Sequence, residues 1–497
     1  MGDKCTKDEE CATAYCLPTS RICSIQCTST AVCPSAYVCA LEKLDTNHIG
    51  KFNDAEADCI LKKGAKIAGV NCSKDADCAS NHCYAGFCME GCATNQDCGN
   101  MQCVEVNILL PGGLPKYRGC LPKAGTSTID LGAQTSSALF GFDVPPNASS
   151  FVIQTDVPSP SEIGLVADLK DPSGKVLFRS GGSICDIYST PIRYYYAPQI
   201  SNLFVPNTPA VSIVPGIHEV LVANSQINAP VLVKVHMKLG KAQKGTLNIN
   251  WFFLNLANLE CPSDNTLNAS SAPTHSWFKT LRTGVQTILK TANLSIGKET
   301  YQDLNKPHLD VITRSSYGKS SELEELFACS SGKTGPAINV FFVREIQGDN
   351  EDEIVLGVAG GIPGPIGIHG TAGSGVTLSM QTNCFVEYGL SPAGVLAHEI
   401  GHYLGLSHNQ EAPTLPGYDP VTKKIICPCP CGANTNMSCH YESISWSWCR
   451  GEDPIPDTTT SPENLMFFAA EASNEFAGNQ LTPGQSRVML DNPLVGH

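Results

Sequence analysis

No stretch of this chain approaches the run of about 18 apolar residues that a membrane-spanning helix needs, so no transmembrane segment is expected. Basic residues are few: 33 Lys and Arg stand against 47 Asp and Glu, for a formal net charge of −14. No basic patch is left to attract nucleic acid or anionic lipid. The opening Met1-Gly2-Asp3-Lys4-Cys5 carries no apolar signal core. Met1-Gly2 through Thr6 formally fits a myristoylation pattern, which would imply a cytosolic protein. Cysteine is what the chain has in excess, and it argues the other way. Twenty-five cysteines in 497 residues suit an exported protein in an oxidising compartment. The expectation is a secreted or extracellular, cell-surface chain whose signal was removed and replaced by an initiator methionine, or whose native start differs. The odd total leaves at least one thiol unpaired or paired between chains.

The cysteines of the first 124 residues fall into two sets of eight with nearly the same spacings. Cys5, Cys11, Cys16, Cys23, Cys27, Cys33, Cys39 and Cys59 form one; Cys72, Cys78, Cys83, Cys88, Cys92, Cys98, Cys103 and Cys120 form the other. Thr6-Lys7-Asp8 in the first aligns with Ser73-Lys74-Asp75 in the second. Each unit is too small and too poor in apolar residues for a substantial core, so disulfides must hold it. Eight cysteines permit on the order of a hundred pairings, and sequence does not choose among them. Zinc ligation is the weaker reading, because C-x-x-C pairs are missing. The spacing resembles disulfide-rich repeats on secreted bacterial proteins, which implies binding or spacing, with a cell-surface or extracellular ligand.

From about Gly125 the pattern changes to short alternating strands. Val233, Val235, Met237 and Leu239 alternate with Lys234, His236 and Lys238, which puts His236 on a polar face with no special role. Leu165–Leu169 and Lys175–Phe178 flank the turn Asp171-Pro172-Ser173-Gly174. Further strands are expected at Phe151–Thr155, Gly216–Ala223 and Thr246–Leu254, which together predict a β-sandwich. The region is similar to the jelly-roll modules that accompany secreted peptidases.

The last part carries the chemistry. An amphipathic helix is readable from Trp277 to Leu294, and Ile338–Val343 suits a central strand. Ser391-Pro392 then supplies an N-cap and a first-turn proline for a second helix. Into it falls His398-Glu399-Ile400-Gly401-His402-Tyr403-Leu404-Gly405-Leu406-Ser407-His408, which fits H-E-x-x-H-x-x-G-x-x-H at every defined position. His398 and His402, four apart, share a helix face. Gly405 is expected to end the helix and turn the chain back, so that His408 arrives as a third ligand. Three histidines leave the open coordination position of one catalytic Zn2+ ion, and Glu399 sits beside them as general base for a metal-activated water. Core histidines are the alternative, and a poor account of three at ligand spacing.

With this motif the chain resembles the metzincin zinc endopeptidases, over about 220 residues from near Cys261. The resemblance implies peptide-bond hydrolysis of protein or peptide substrates and a methionine turn beneath the metal, for which Met466 is the candidate. It also implies an edge strand above the cleft, with Gly373, Ser374, Gly375 and Val376 as candidates to pair with substrate. Two departures leave the subfamily unassigned: Phe467 and Phe468 replace the tyrosine that some members place after the turn methionine, and Asn409 follows the third histidine. Cys427, Cys429, Cys431, Cys439 and Cys449 suggest a disulfide-stapled insert. Asp349-Asn350-Glu351-Asp352-Glu353 reads as a solvated acidic loop; Ca2+ binding there lacks EF-hand spacing.

The expected architecture is multidomain: cysteine-rich repeats at 1–66 and 67–124, an all-β, jelly-roll-like sandwich at 125–260, and an α+β metzincin-like peptidase domain at 261–497. The leading function is a secreted zinc endopeptidase. Its rivals are a surface adhesin with an unused metal site and a latent zymogen inhibited by the residues before Cys261. Latency through Cys185 is disfavoured, because its surroundings do not match the switch motif of that family.

Overall fold

The computed structural model describes residues 4–11, 16, 23–25, 27, 33–44, 54–107, 116–159, 162–180, 190–194, 199–226, 229–254, 267–313, 322–348, 354–383, 391–408, 417–419, 424–426, 440–441, 453–458, 463–466 and 479–497. Cys185, Cys261, the acidic loop, Asn409, the insert cysteines, Phe467 and Phe468 lie outside them.

All sixteen cysteines of the two repeats are paired. The bridges are Cys5–Cys16, Cys11–Cys23, Cys27–Cys39 and Cys33–Cys59, then Cys72–Cys83, Cys78–Cys88, Cys92–Cys103 and Cys98–Cys120. Both sets join first to third, second to fourth, fifth to seventh and sixth to eighth. The sulfurs are thereby unavailable to zinc. A loop of about 15 residues closed this way contributes roughly 3 kcal/mol through lost unfolded-state entropy, which suits units whose buried residues are mostly cysteine. The second repeat has an additional anchor. Its Tyr84, Phe87, Met89, Val106, Tyr117 and Leu121 join the core of the following domain.

That domain has eight strands: β1 (Gly125–Thr135), β2 (Leu139–Val144), β3 (Ala148–Asp156), β4 (Gly164–Lys170), β5 (Val176–Arg179), β6 (Ile200–Val205), β7 (Gly216–Asn224) and β8 (Pro230–Leu239). They form two antiparallel sheets in the orders β6-β3-β8-β1 and β5-β4-β7-β2. This is the interleaved strand order of a jelly roll. In the first sheet, β3 and β6 are buried on both faces. Along β3, Phe151 and Ile153 enter the sandwich core while Val152 enters the next core; along β6, Leu203 and Val205 point inward and Phe204 outward. The period-2 alternation of a strand distributes these side chains between two interiors.

The second interior belongs to a mixed sheet of β9 (Gly245–Leu254), β10 (Leu294–Leu304), β11 (Ile338–Val343), β12 (Gly357–Ala359) and β13 (Val376–Ser379), ordered β10-β9-β11-β13-β12. All neighbours are parallel except β12, which runs antiparallel to β13 at the end of the sheet. Helices α1 (Ser276–Thr291) and α3 (Pro392–Tyr403) cover one face, with α4 (Pro483–Asp491) joining the same core. Helix α2 (Glu322–Ala328) helps cover the other face. At the α1–α3 crossing a Cβ on Gly284 would lie 2.6 Å from that of Ala393, so glycine sets the helix spacing there.

Two expectations are corrected. Thr246–Leu254, assigned above to the sandwich, is β9, hydrogen-bonded to β10 and β11 inside the mixed sheet. The boundary therefore falls before Gly245 and not at Cys261, because β9 takes its partners from downstream. A cut just before Cys261 would part this inner strand from the chain that forms the rest of its sheet. The helix read as Trp277–Leu294 ends at Thr291; Asn293 turns at φ +57° and Leu294 begins β10.

Candidate metal centre

Helix α3 starts as its sequence dictates. The Ser391 hydroxyl accepts a hydrogen bond from Gly394 N at 3.4 Å, and Pro392 occupies a first-turn position whose N–H would lack an intrahelical partner. It ends in a Schellman motif. Gly405 has φ +105°, its N–H donates to His402 O at 2.8 Å, and Leu406 N–H donates to Gly401 O at 3.0 Å. That reversal carries His408 back over the helix face formed by His398 and His402.

The three imidazoles converge through Nε2. His408 Nε2 lies 3.1 Å from His398 Nε2 and 3.0 Å from His402 Nε2. The opposite ring nitrogens are committed: His398 Nδ1 contacts Leu465 O at 2.6 Å and His402 Nδ1 contacts Leu406 O at 2.7 Å. A carbonyl only accepts, so both Nδ1 atoms carry the proton and both Nε2 atoms present lone pairs. Two Nε2 lone pairs thus face the Nε2 atom of His408. Burial and the two neighbouring histidines hold His402 well below the usual imidazole pKa, which favours the neutral ring that offers a lone pair to a cation. Tetrahedral zinc with bonds of about 2.0–2.1 Å would place its nitrogens roughly 3.3 Å apart, close to the spacing here. The cluster is able to hold a metal ion, and its half-buried His398 and His408 leave a side open to solvent.

The carbonyls that orient the histidines were not found from sequence, since backbone oxygens leave no residue signature. Leu465 O belongs to Asn464-Leu465-Met466, which a bridge to Gln480 and a reciprocal Asn464–Gln485 amide pair hold at 3.0 and 3.1 Å. Met466 is fully buried beneath α3; a Cβ on Gly401 would meet its sulfur at 2.8 Å.

Glu399 is buried, 8% exposed, with its side chain against the end strand of the sheet. A Cβ at Gly357 would sit 2.7 Å from Glu399 Cγ and 3.1 Å from Oε1, so only glycine leaves the carboxylate room. Sequence reasoning missed Gly357, although a glycine in the apolar run Ile354–Ala359 was the available signal. The end strand is β12, not 373–376. Val376 lies in β13, paired on both sides, and Ser374 is fully buried with its carbonyl accepting from Asn339 Nδ2 at 2.6 Å. A Cβ on Gly375 would strike Phe327 and Phe341, so Gly373, Ser374, Gly375 and Val376 have no free edge to offer. Val376 to Ser379 are drawn inside by parallel pairing with Val340 to Val343.

Among the described residues no helix is long and apolar enough to cross a membrane. Of the cysteines beyond the repeats, Cys329 is described, with a free thiol whose pKa burial raises.

No protein-family model matches the sequence, and no curated protein matches it. Among solved structures the chain is similar to metalloproteinase-II from Bacteroides fragilis, with 13% identity and a TM-score of 0.19 over 36% of this chain and 55% of that one. A family two carbohydrate esterase from Cellvibrio japonicus matches at 10% identity and TM-score 0.13, over 36% of this chain and 53% of the other. IMPa from Pseudomonas aeruginosa, in complex with an O-glycopeptide, matches at 11% identity and TM-score 0.15, over 60% and 32%. The chain thus spans about half the length of the first two and a third of the last. Likeness at this level carries no argument about the chain, and the functional reading rests on its own site.

Proposed function

We propose that the chain is an extracellular zinc endopeptidase of metzincin type, with His398, His402 and His408 as metal ligands and Glu399 as general base. The observation that carries the reading is the convergence of three Nε2 atoms at 3.0–3.1 Å, two of them fixed as acceptors by carbonyls on their Nδ1 side. A zinc ion held there would polarise a scissile carbonyl and acidify a water near pH 7. Glu399, next in sequence to the first ligand and confined by Gly357, accepts the proton of the attacking water on its carboxylate and returns it to the leaving amine. The outer side of β12, which no described strand covers, pairs with an extended peptide by backbone hydrogen bonds, which selects a polypeptide substrate. Met466 underlies the site as the turn methionine. Eight disulfides among the described residues suit an oxidising, extracellular setting, with the repeats as its binding or spacing elements.

The test is cleavage of a diverse peptide mixture by the purified chain and by Glu399→Ala. The parent should cut and the variant should not, while both retain one zinc ion, since Glu399 is not a ligand. Equal cutting by both would sink the mechanism.

A further inference from the structure

The ligand-bearing turn, Leu404 to His408, is gripped from outside its own sheet by two independent routes. The first is direct. Phe204 leaves the sandwich through the outward face of β6, is 1% exposed, and lies against Gly405; a Cβ on that glycine would meet Phe204 Cδ1 at 2.8 Å. Neighbouring positions of the same sandwich sheet also reach toward α3. Asn202 Nδ2 donates to Pro363 O at 3.3 Å, and Gln154 Oε1 accepts from Ile366 N at 3.1 Å. The segment between them carries Gly364, whose N–H donates to Tyr403 O at 3.0 Å, and Pro365, whose carbonyl accepts from Tyr403 Oη at 3.0 Å.

The second route runs through the C-terminus. Lys238 of β8 is fully buried, and its ammonium donates to Leu490 O at 2.6 Å, Val495 O at 2.7 Å and Asn492 O at 3.3 Å. Ser150 Oγ of β3 donates to Asp491 O. The loop held in this way presents Asn492 Nδ2 to the carbonyl of Leu404, the residue that caps the C-terminus of α3, at 3.1 Å.

We infer that the β-sandwich is part of the metal centre, with Phe204 a positioning residue that sets the Gly405 turn and thereby the reach of His408. The inference rests on the metal reading of the histidine cluster and not on peptidase activity. Without the ring, Gly405 regains the freedom natural to glycine, and the third ligand must be ordered at the expense of metal affinity. Outer contacts of this kind change metal affinity by about ten- to a hundredfold.

The experiment is Zn2+ affinity of the full-length chain, measured by competition with a chromophoric chelator, for the parent, Phe204→Ala, Phe204→Leu and Val233→Ala. Val233 is equally buried but faces the sandwich core, so its variant reports sandwich damage alone. Phe204→Ala should bind Zn2+ about ten- to a hundredfold more weakly, with Phe204→Leu between it and the parent and Val233→Ala like the parent. Parental affinity in Phe204→Ala, or equal weakening in Val233→Ala, overturns the inference. If Phe204→Ala does not fold, parental affinity in Phe204→Leu overturns it and a weakened one supports it. A parent that binds no Zn2+ removes the metal reading, and the inference with it.

Discussion

At the scale of single residues, the centre depends on glycines whose missing side chains others occupy. Gly357→Ala would place a methyl within 2.7 Å of Glu399 Cγ, and one of the two must shift. Misplacing a reacting group by about 1 Å can cost on the order of 100-fold in rate. The expected outcome is therefore a fall in kcat of about that size with Zn2+ affinity unchanged, measured by kinetics and chelator competition on one preparation. Gly405→Ala should differ in kind. Its φ of +105° disfavours any side chain, and the new methyl meets Phe204, so both stability and Zn2+ affinity should drop. Backbone strain alone contributes about 1–3 kcal/mol, readable from urea unfolding of the metal-free chain. Ser391, Pro392, the clustering of the three histidines and the Gly405 turn were legible because each is set by residue type at a fixed local spacing. Leu465 O, Leu406 O, Phe204 and Asn492 were not. Two are backbone atoms, and the other two act across 201 and 88 residues of sequence.

At the scale of elements, local pattern located strands and helices but left open what covers them. Helix α3 declared itself through its cap and its glycine stop, and β8 through alternation. Yet the polar face of β8 is not a solvent face: His236 and Lys238 are buried, and burial pushes His236 down to about 4. Period 2 separates two faces without saying that a second core lies on the charged side. Thr246–Leu254 was read as a strand but given to the wrong sheet, since parallel pairing with β10 and β11 is a non-local choice. The segment under α3 provides a packing test. Met466→Leu conserves volume and should cost less than about 1.5 kcal/mol, whereas Met466→Ala should cost about 2–5 kcal/mol in urea unfolding. The contact between the second repeat and β2 provides a pH test. Tyr84 Oη donates to Asp143 Oδ2 at 2.8 Å, and burial raises the Asp143 carboxyl to about 6. Its folded pKa exceeds its unfolded one, so the folded state holds the proton more tightly. The associated stability is full below the unfolded value near 4 and is lost as pH rises through about 6. Asp143→Asn cannot ionise, so relative to the parent its stability should improve between pH 4 and pH 7; unchanged relative stability across that range would refute the assignment.

At the scale of the whole molecule, the order of repeats, sandwich and α/β region was readable from changes in composition and period, but the joins were not. The second repeat shares the sandwich core, and the first sandwich sheet lends Val152 and Phe204 to the core of the region that bears the histidines. Chains beginning at Cys261 should therefore fail to fold, having lost β9, while chains beginning near Ile67, which keep the second repeat, should fold and bind Zn2+; circular dichroism and chelator competition separate the two. The short link between β8 and β9 is itself tied down, with Gly240 N–H donating to Asn147 O at 2.8 Å, Gly245 N–H to Asn293 O at 3.0 Å, and Ala242 buried. A protease needs several residues of loosened, extended chain, and this link offers none without opening both cores at once. For a molecule that would work among copies of itself, the tied link thus doubles as protection against self-digestion at this join, which is open to cutting only as fast as the two cores open.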